Sequence, residues 1–320
     1  MHAIQMTTTG GPEVLEWVEL ADPEPEPDQL LVRVEAAGLN YFDVYQRSGA
    51  YSVQLPYIPG LEGAGAVVAQ GTAAGGFQTG DRVAWCDVAA SYGELIAVPA
   101  ERVVMIPDAM PTEQALVLLQ GVTAHYLATD AFPLKPGDRC LVQAGAGGVG
   151  QLLVQIAKRR GAEVFATAGG PEKAKLAHLA GADHVIDYRD VEFKTAIEAV
   201  AGPHQLDVVY DGVGADTFDA GLELLRPRGT MVLYGAASGP VPPVDPARLM
   251  RGSLYLTRAA IADYIGGPAE LQRRATEVFS WLTDGWLRAC IGARFPLERA
   301  ADAHRELEAR KTAGKVLLLT

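Results

Sequence analysis

The run AGAGGVG at residues 144–150 constrains this chain more than any other stretch. Gly145, Gly147 and Gly150 stand in G-x-G-x-x-G spacing, with Gly148 and Val149 inside it. A short apolar strand, Arg139 to Gln143, precedes the turn. Gln151 to Arg160 follow, with Leu152, Leu153, Ile156 and Ala157 on one helical face. In that setting Gly145 permits a tight turn out of the strand, and Gly147 removes a side chain that would block a pyrophosphate. Gly150 lets the helix pack close to the strand. Phosphates then meet free N–H groups at the positive end of the helix dipole. Lys158, Arg159 and Arg160 fill the last turn, and Gly161 stops the helix. The glycines alone are a weak signal; with their strand and helix they predict a dinucleotide site.

The rest of the chain fits that frame. From about residue 123, strand and helix alternate. Strands are expected at Glu163 to Thr167, His184 to Tyr188, Leu206 to Asp211, Thr230 to Tyr234 and Ser253 to Thr257. Helices are expected around Pro171 to Ala180 and Thr217 to Leu225. With the first strand this makes six, which predicts an α/β fold with a Rossmann doubly wound parallel sheet. Residues 1–122 read as β-rich, with partial alternation over Gln29 to Ala37 and short apolar runs at Ala64 to Gln70 and Arg82 to Trp85. The proline-rich stretch Asp22 to Asp28 reads as an extended surface connection. Residues 264–320 hold one or two helices and a final apolar strand, Lys315 to Leu319. The expected domains are therefore 1–122, 123–263 and a C-terminal segment, 264–320.

Composition excludes several classes. The net charge is −12, so a broad basic face for nucleic acid or anionic lipid is not expected. No run of about 18 apolar residues predicts a membrane helix, and the N-terminus lacks a signal-peptide pattern. The three cysteines, Cys86, Cys140 and Cys290, are far apart and form no C-x-x-C pair. Free thiols in a cytoplasmic protein are expected.

The identity of the dinucleotide is read at the end of the second Rossmann strand. An NAD site usually places an acid there to accept from the ribose 2′-OH. Here Ala166, Thr167, Ala168, Gly169 and Gly170 supply none, and Lys173 follows. A lysine attracts a 2′-phosphate where a carboxylate would repel it. NADPH is expected, with Thr167, Gly169 and Lys173 on its adenine side and Tyr188 bordering it. Lys175 reads as solvated helix surface.

Further motifs resemble the medium-chain dehydrogenase/reductase superfamily. They are GGPEVL at 10–15, GLNYFDVYQRSG at 38–49, PGLEGAG at 59–65, GDRV at 80–83 and GKVL at 314–317. In detail they look like its zinc-free quinone oxidoreductase branch, the ζ-crystallin-like proteins. The resemblance spans nearly the whole chain. It implies a chaperonin-10-like (GroES-like) catalytic domain interrupted by the Rossmann domain, a cleft between them, and a homodimer joined near Ser253 to Thr257. Zinc alcohol dehydrogenases hold their catalytic metal with Cys, His and Cys. The matching positions here are Asn40, Leu61 and the region of Gln120. A catalytic zinc needs about three protein ligands, so metal-free chemistry is expected.

Without a Lewis acid, an already electrophilic acceptor suits the site best. The expected reaction is NADPH-dependent reduction of a quinone, with polar groups near the developing oxyanion. An α,β-unsaturated carbonyl (enal, enone or enoyl thioester) is the close alternative, and a non-catalytic cofactor-binding protein of crystallin type the third. In the resembled branch, the matching Asn40, Asp43 and Tyr45 line the cleft and Tyr51 lies close by. Thr123 resembles a threonine facing the nicotinamide, and Tyr234 and Ser238 fall near it. Arg310 resembles a residue that reaches the cofactor phosphates. Each also has a bland reading: a turn cap for Asn40, an ion pair with Arg47 for Asp43, packed edges for the tyrosines, a backbone-bonded hydroxyl for Thr123, and surface for Arg310.

Overall fold

Continuous apolar runs become buried strands, and the rarer charged positions decide where they end. In a computed structural model describing residues 1–320, the chain forms two compact units, Met1–Leu119 with Ile265–Thr320, and Gln120–Tyr264.

Unit one begins with the antiparallel pair β1 (His2–Gln5) and β2 (Glu16–Glu19). The 11-residue β3 (Gln29–Leu39) follows, then helix α1 (Tyr41–Ser48). Next come β4 (Glu62–Gln70), β5 (Arg82–Cys86), β6 (Leu95–Pro99) and β7 (Val103–Met105). Helix α2 (Thr112–Ala115) closes the segment, and α3 (Leu118–Tyr126) starts in it and runs on into unit two. The stretch read as β-rich therefore contains a helix at its functional centre. Asn40 and Asp43 start that helix with a capping box, and Gly49 ends it in the left-handed region at φ 83°. The strands bury two clusters, one around Val32, Val67, Trp85 and Val98, the other around Leu39, Tyr92, Val316 and Leu318.

Unit two carries β8 (Arg139–Val142), α4 (Gly148–Arg159), β9 (Glu163–Ala168), α5 (Pro171–Leu179) and β10 (His184–Asp187). It continues with α6 (Phe193–Ala201), β11 (Leu206–Asp211), α7 (Phe218–Leu224), β12 (Leu225–Leu233), β13 (Tyr255–Arg258) and α8 (Ile261–Tyr264). The order β10-β9-β8-β11-β12-β13, all parallel, is the doubly wound arrangement expected. Strands buried on both faces need no polar alternation, and Leu141, Phe165, Val209 and Met231 are fully buried. Burying each such side chain contributes about 1.5–3 kcal/mol. Helix α6 was not legible as a separate element, and β12 starts five residues before the expected Thr230.

The chain then returns to unit one with α9 (Pro268–Thr283), β14 (Ile291–Pro296), α10 (Ala300–Glu308) and β15 (Lys315–Leu319). Strand β15 lies between β14 and β3, pairing antiparallel with β3 so that Leu317 faces Gly38.

Candidate active site

The glycine turn joins β8 to α4. The left-handed residue there is Ala144, at φ 55°. Gly145 is required by crowding: a Cβ on it would stand 2.8 Å from the Ala166 Cβ of β9. Gly150 would place a Cβ against the Ala144 carbonyl and 2.9 Å from the Gly145 Cα, as expected for close helix packing. Gly147 differs, because a Cβ there meets only the Ala144 oxygen at 3.1 Å and otherwise open space. Gly147 is the N-cap of α4. Gly148 and Val149 open the helix, where backbone N–H groups have no intrahelical acceptor. Clear space over the turn and free donors at a positive helix end are what a pyrophosphate needs.

Neighbouring side chains hold the turn. Thr167 is buried; its Oγ1 donates to Gln143 Oε1 at 2.6 Å and accepts from the Ala144 N–H at 3.1 Å. It therefore supports the turn from beneath. Gln120 lies against Gly148 so closely that a Cβ there would overlap its amide. The adenine-side loop is built at the end of β9. Gly170 has φ 96° and precedes α5, which carries the half-buried Lys173. The Tyr188 ring covers Gly169, with Cζ 2.7 Å from where a Cβ would be. Two residues missed at the sequence level complete the loop. Arg189 brings Nη1 to 3.1 Å from the place of a Gly170 Cβ. Asp187 Oδ1 accepts from the Gly170 and Arg189 N–H groups at 2.9 and 3.0 Å. Tyr234 covers Gly212 in the loop after β11. The Ser238 hydroxyl donates to the Val213 carbonyl at 2.9 Å and accepts from the Asp216 N–H at 3.0 Å, tying the two loops together. Thr123 is buried on α3.

In unit one, α1 presents an aromatic cluster. Tyr45 meets Tyr51 edge-on with centroids 5.3 Å apart, and Tyr41 and Phe42 pack at 5.4 and 6.4 Å from Tyr45. Phe42 and Tyr51 are more than one-third exposed. Such mutually tilted rings offer apolar faces and edges that carry hydroxyls. Arg310 follows α10 with a left-handed φ of 57°.

Beneath the cluster lies a buried polar group. Asn40 Nδ2 donates to the Gly38 carbonyl at 3.0 Å and to Glu62 Oε2 at 3.1 Å. Its Oδ1 accepts from Lys315 Nζ at 3.2 Å, and Lys315 also forms an ion pair with Glu62. Both amide hydrogens of Asn40 are thus engaged within the protein. Asp43 does not pair with Arg47, which bonds Glu308 instead at 2.7 Å. The Asp43 carboxylate accepts from the Asn40 N–H at 2.8 Å and from the Tyr92 hydroxyl at 3.2 Å. Complete burial outweighs these bonds and raises its pKa to about 7. His304, 3.4 Å from the Tyr92 hydroxyl, is lowered to about 3 by burial and by the nearby Arg47 charge. No three His, Cys, Asp or Glu side chains cluster as a metal site requires. The open groove of about 450 Å³ lined by Phe77, Met105, Gln272 and Phe279 contains none of these residues.

A doubly wound sheet with this turn, joined to a β-rich unit that the chain enters twice, defines a class of two-domain nucleotide-dependent oxidoreductases. Residues 26–108 match the family described as alcohol dehydrogenase GroES-like domain, and residues 148–281 that described as zinc-binding dehydrogenase. Over 99% of the chain and 98% of the relative, it is 42% identical to a quinone oxidoreductase of Pseudomonas aeruginosa. It is 34% identical to a 2-haloacrylate reductase of Burkholderia over 97% of the chain and 96% of the relative. Among solved structures it resembles Escherichia coli quinone oxidoreductase complexed with NADPH, with TM-score 0.97, 36% identity and 100% of each chain covered. A mycobacterial protein complexed with NADPH gives TM-score 0.96 and 45% identity, again over 100% of both chains. The chain belongs to the medium-chain dehydrogenase/reductase superfamily, among the quinone oxidoreductases. No helix is long and apolar enough to cross a membrane.

Proposed function

We propose that this protein is an NADPH-dependent oxidoreductase that reduces quinones without a metal. The observation that carries the reading is the Ala144–Gly150 turn, with a clear approach over Gly147 and free N–H groups at the start of α4. Full-length similarity to quinone oxidoreductases, two of them or their kin solved with NADPH, supports it. The bound dinucleotide supplies the hydride; the protein supplies position and electrostatics.

Each part of the chain has a task in this reading. The turn holds the pyrophosphate. Lys173, Tyr188 and Arg189 hold the 2′-phosphate, and no acid at the end of β9 opposes it. Asp187, next to Tyr188, has one oxygen engaged by two backbone N–H groups. The rings of Tyr45 and Tyr51, set edge-on to each other, meet a planar acceptor by one face and one edge, and their hydroxyls stand near its developing oxyanion. By the resemblance, Asn40, Leu61 and the region of Gln120 match the metal-ligand positions of the zinc enzymes, and these residue types supply no zinc ligand set, which favours an acceptor that needs no Lewis acid. Strand β13 is an edge of its sheet and exposes Tyr255 by 60%; unpaired edge groups of this kind suit a second copy in a homodimer.

Steady-state oxidation of NADPH and NADH with 1,4-benzoquinone and 9,10-phenanthrenequinone tests the reading, with crotonyl-CoA and a simple enone as further arms. Quinone-dependent NADPH oxidation is expected, slowed by Tyr45→Phe, with NADH a poorer donor. No consumption above background with any quinone refutes the quinone reading. Turnover confined to the enone or thioester moves the enzyme to the alternative that the 2-haloacrylate reductase relative suggests.

A further inference from the structure

Glu62 is fully buried at the start of β4 and meets three elements at once. Its Oε2 takes the ammonium of Lys315, from β15, and the Nδ2–H of Asn40, the N-cap of α1. Its Oε1 accepts the Leu119 N–H at 2.7 Å, in the first turn of α3. One carboxylate therefore fixes the N-termini of both helices that carry the candidate catalytic residues. Tyr45 and Asp43 lie on α1 and Thr123 on α3. A negative charge at two helix N-termini is favourable there, but a buried carboxylate needs a countercharge. Lys315 supplies it from a strand 253 residues distant.

The chain makes room for this arrangement at one position. Gly38 lies in β3, between β4 and β15 in the sheet. A Cβ on it would stand 2.5 Å from Lys315 Nζ and overlap Glu62 Oε2. The ion pair crosses β3 over the glycine, which is not in the left-handed region and is needed only for space.

We infer that Glu62 and Lys315 are positioning residues for turnover: together they hold the Asn40 amide and the Leu119 N–H, and so the first turns of α1 and α3, in the geometry the reaction needs. Asn40 is then a strut between the ion pair and α1, not a donor to the substrate. The inference rests on the proposed reductase activity. A misplacement of about 1 Å at a distance from the chemistry can lower turnover by about 100-fold, which sets the scale of the expected effect.

The test compares wild type, Glu62→Gln/Lys315→Met and Gly38→Ala for kcat and KM with a quinone, NADPH affinity by calorimetry, and Tm. Removing both charges leaves no uncompensated ion, so the double variant is expected to fold. Gly38→Ala keeps both charges and separates them. Both variants are expected to lose at least about tenfold in kcat at a temperature well below Tm, with NADPH affinity within about twofold of wild type. A folded double variant with wild-type kcat overturns the inference, whatever happens to Tm, since a purely structural pair would alter only melting. Should the double variant not fold, kcat of Gly38→Ala decides alone. Wild type without turnover on any acceptor removes the reductase reading itself, a result distinct from a working enzyme indifferent to the ion pair.

Discussion

Replacing Gly147 and Gly150 by alanine, one at a time, separates ligand clearance from internal packing at the turn. Gly147 has φ −74° and ψ 171°, which alanine adopts without strain. As an N-cap, alanine costs about 0.5–1 kcal/mol relative to glycine, while the less flexible unfolded chain returns about 0.4–1 kcal/mol. Gly147→Ala should therefore leave Tm nearly unchanged. Its methyl would stand in the open space over the turn, so NADPH affinity should fall about 10- to 100-fold, or about 1.4–2.8 kcal/mol. At Gly150 the methyl meets backbone, the Gly145 Cα at 2.9 Å and the Ala144 carbonyl closer still. Overpacking against atoms that cannot rotate away costs about 1–3 kcal/mol, a fall of about 3–10 °C in Tm for a unit of this size. Calorimetric titration with NADPH and thermal melts of the apoprotein measure both quantities. Equal loss of Tm in the two variants, or wild-type NADPH affinity in Gly147→Ala, would refute the division of labour argued for these glycines.

Two other outcomes follow from burial. Asp43 is raised to about 7, so the folded protein holds a proton there that the unfolded chain releases near pH 4. Its contribution is fully present below pH 4 and is lost as pH rises to 7, by up to about 4 kcal/mol; Tm of wild type relative to Asp43→Asn should fall over that window and level off above it, and a pH-independent difference would contradict the shift. His304, lowered to about 3, acts in the opposite sense between pH 6.5 and 3, which confines the uncancelled Asp43 effect to pH 6.5–7 in the wild type. Cys86 and Cys140 are fully buried with raised pKa, whereas Cys290 is half-buried. A thiol reagent should modify Cys290 alone in the native protein and all three after unfolding, and fast reaction of more than one native thiol would be inconsistent with this packing.

The glycine turn was legible because backbone crowding can only be met by missing side chains, and that absence is written in the residues themselves. The division of labour was less legible: nothing in the spacing marks Ala144 as the residue that takes the left-handed conformation. Helix α1 hid in a β-rich stretch because its buried face carries Asp43 and Arg47, which break the usual apolar periodicity. Asn40 stands out in the sequence as a candidate cleft residue. Its partners do not, since Glu62 and Lys315 are brought to it by sheet pairing over long separations. Thr167 and Ser238 are expected beside the cofactor from their positions alone; that their hydroxyls also hold loops depends on partners far off in the chain. Arg189 left no local signal beyond standing next to Tyr188.

The divided layout of unit one also bears on the order in which the protein can be made. Residues 120–264 are continuous, so that unit has all its strands once they leave the ribosome. Unit one must wait for β15, inserted between β14 and β3. Until it arrives, the Ala36–Leu39 edge of β3 is an open template, and Glu62 is a buried-to-be carboxylate with no cation. The nascent chain should therefore carry a folded nucleotide-binding unit while its other half is still incomplete, and the arrival of β15 both closes the sheet and neutralises the charge at its centre.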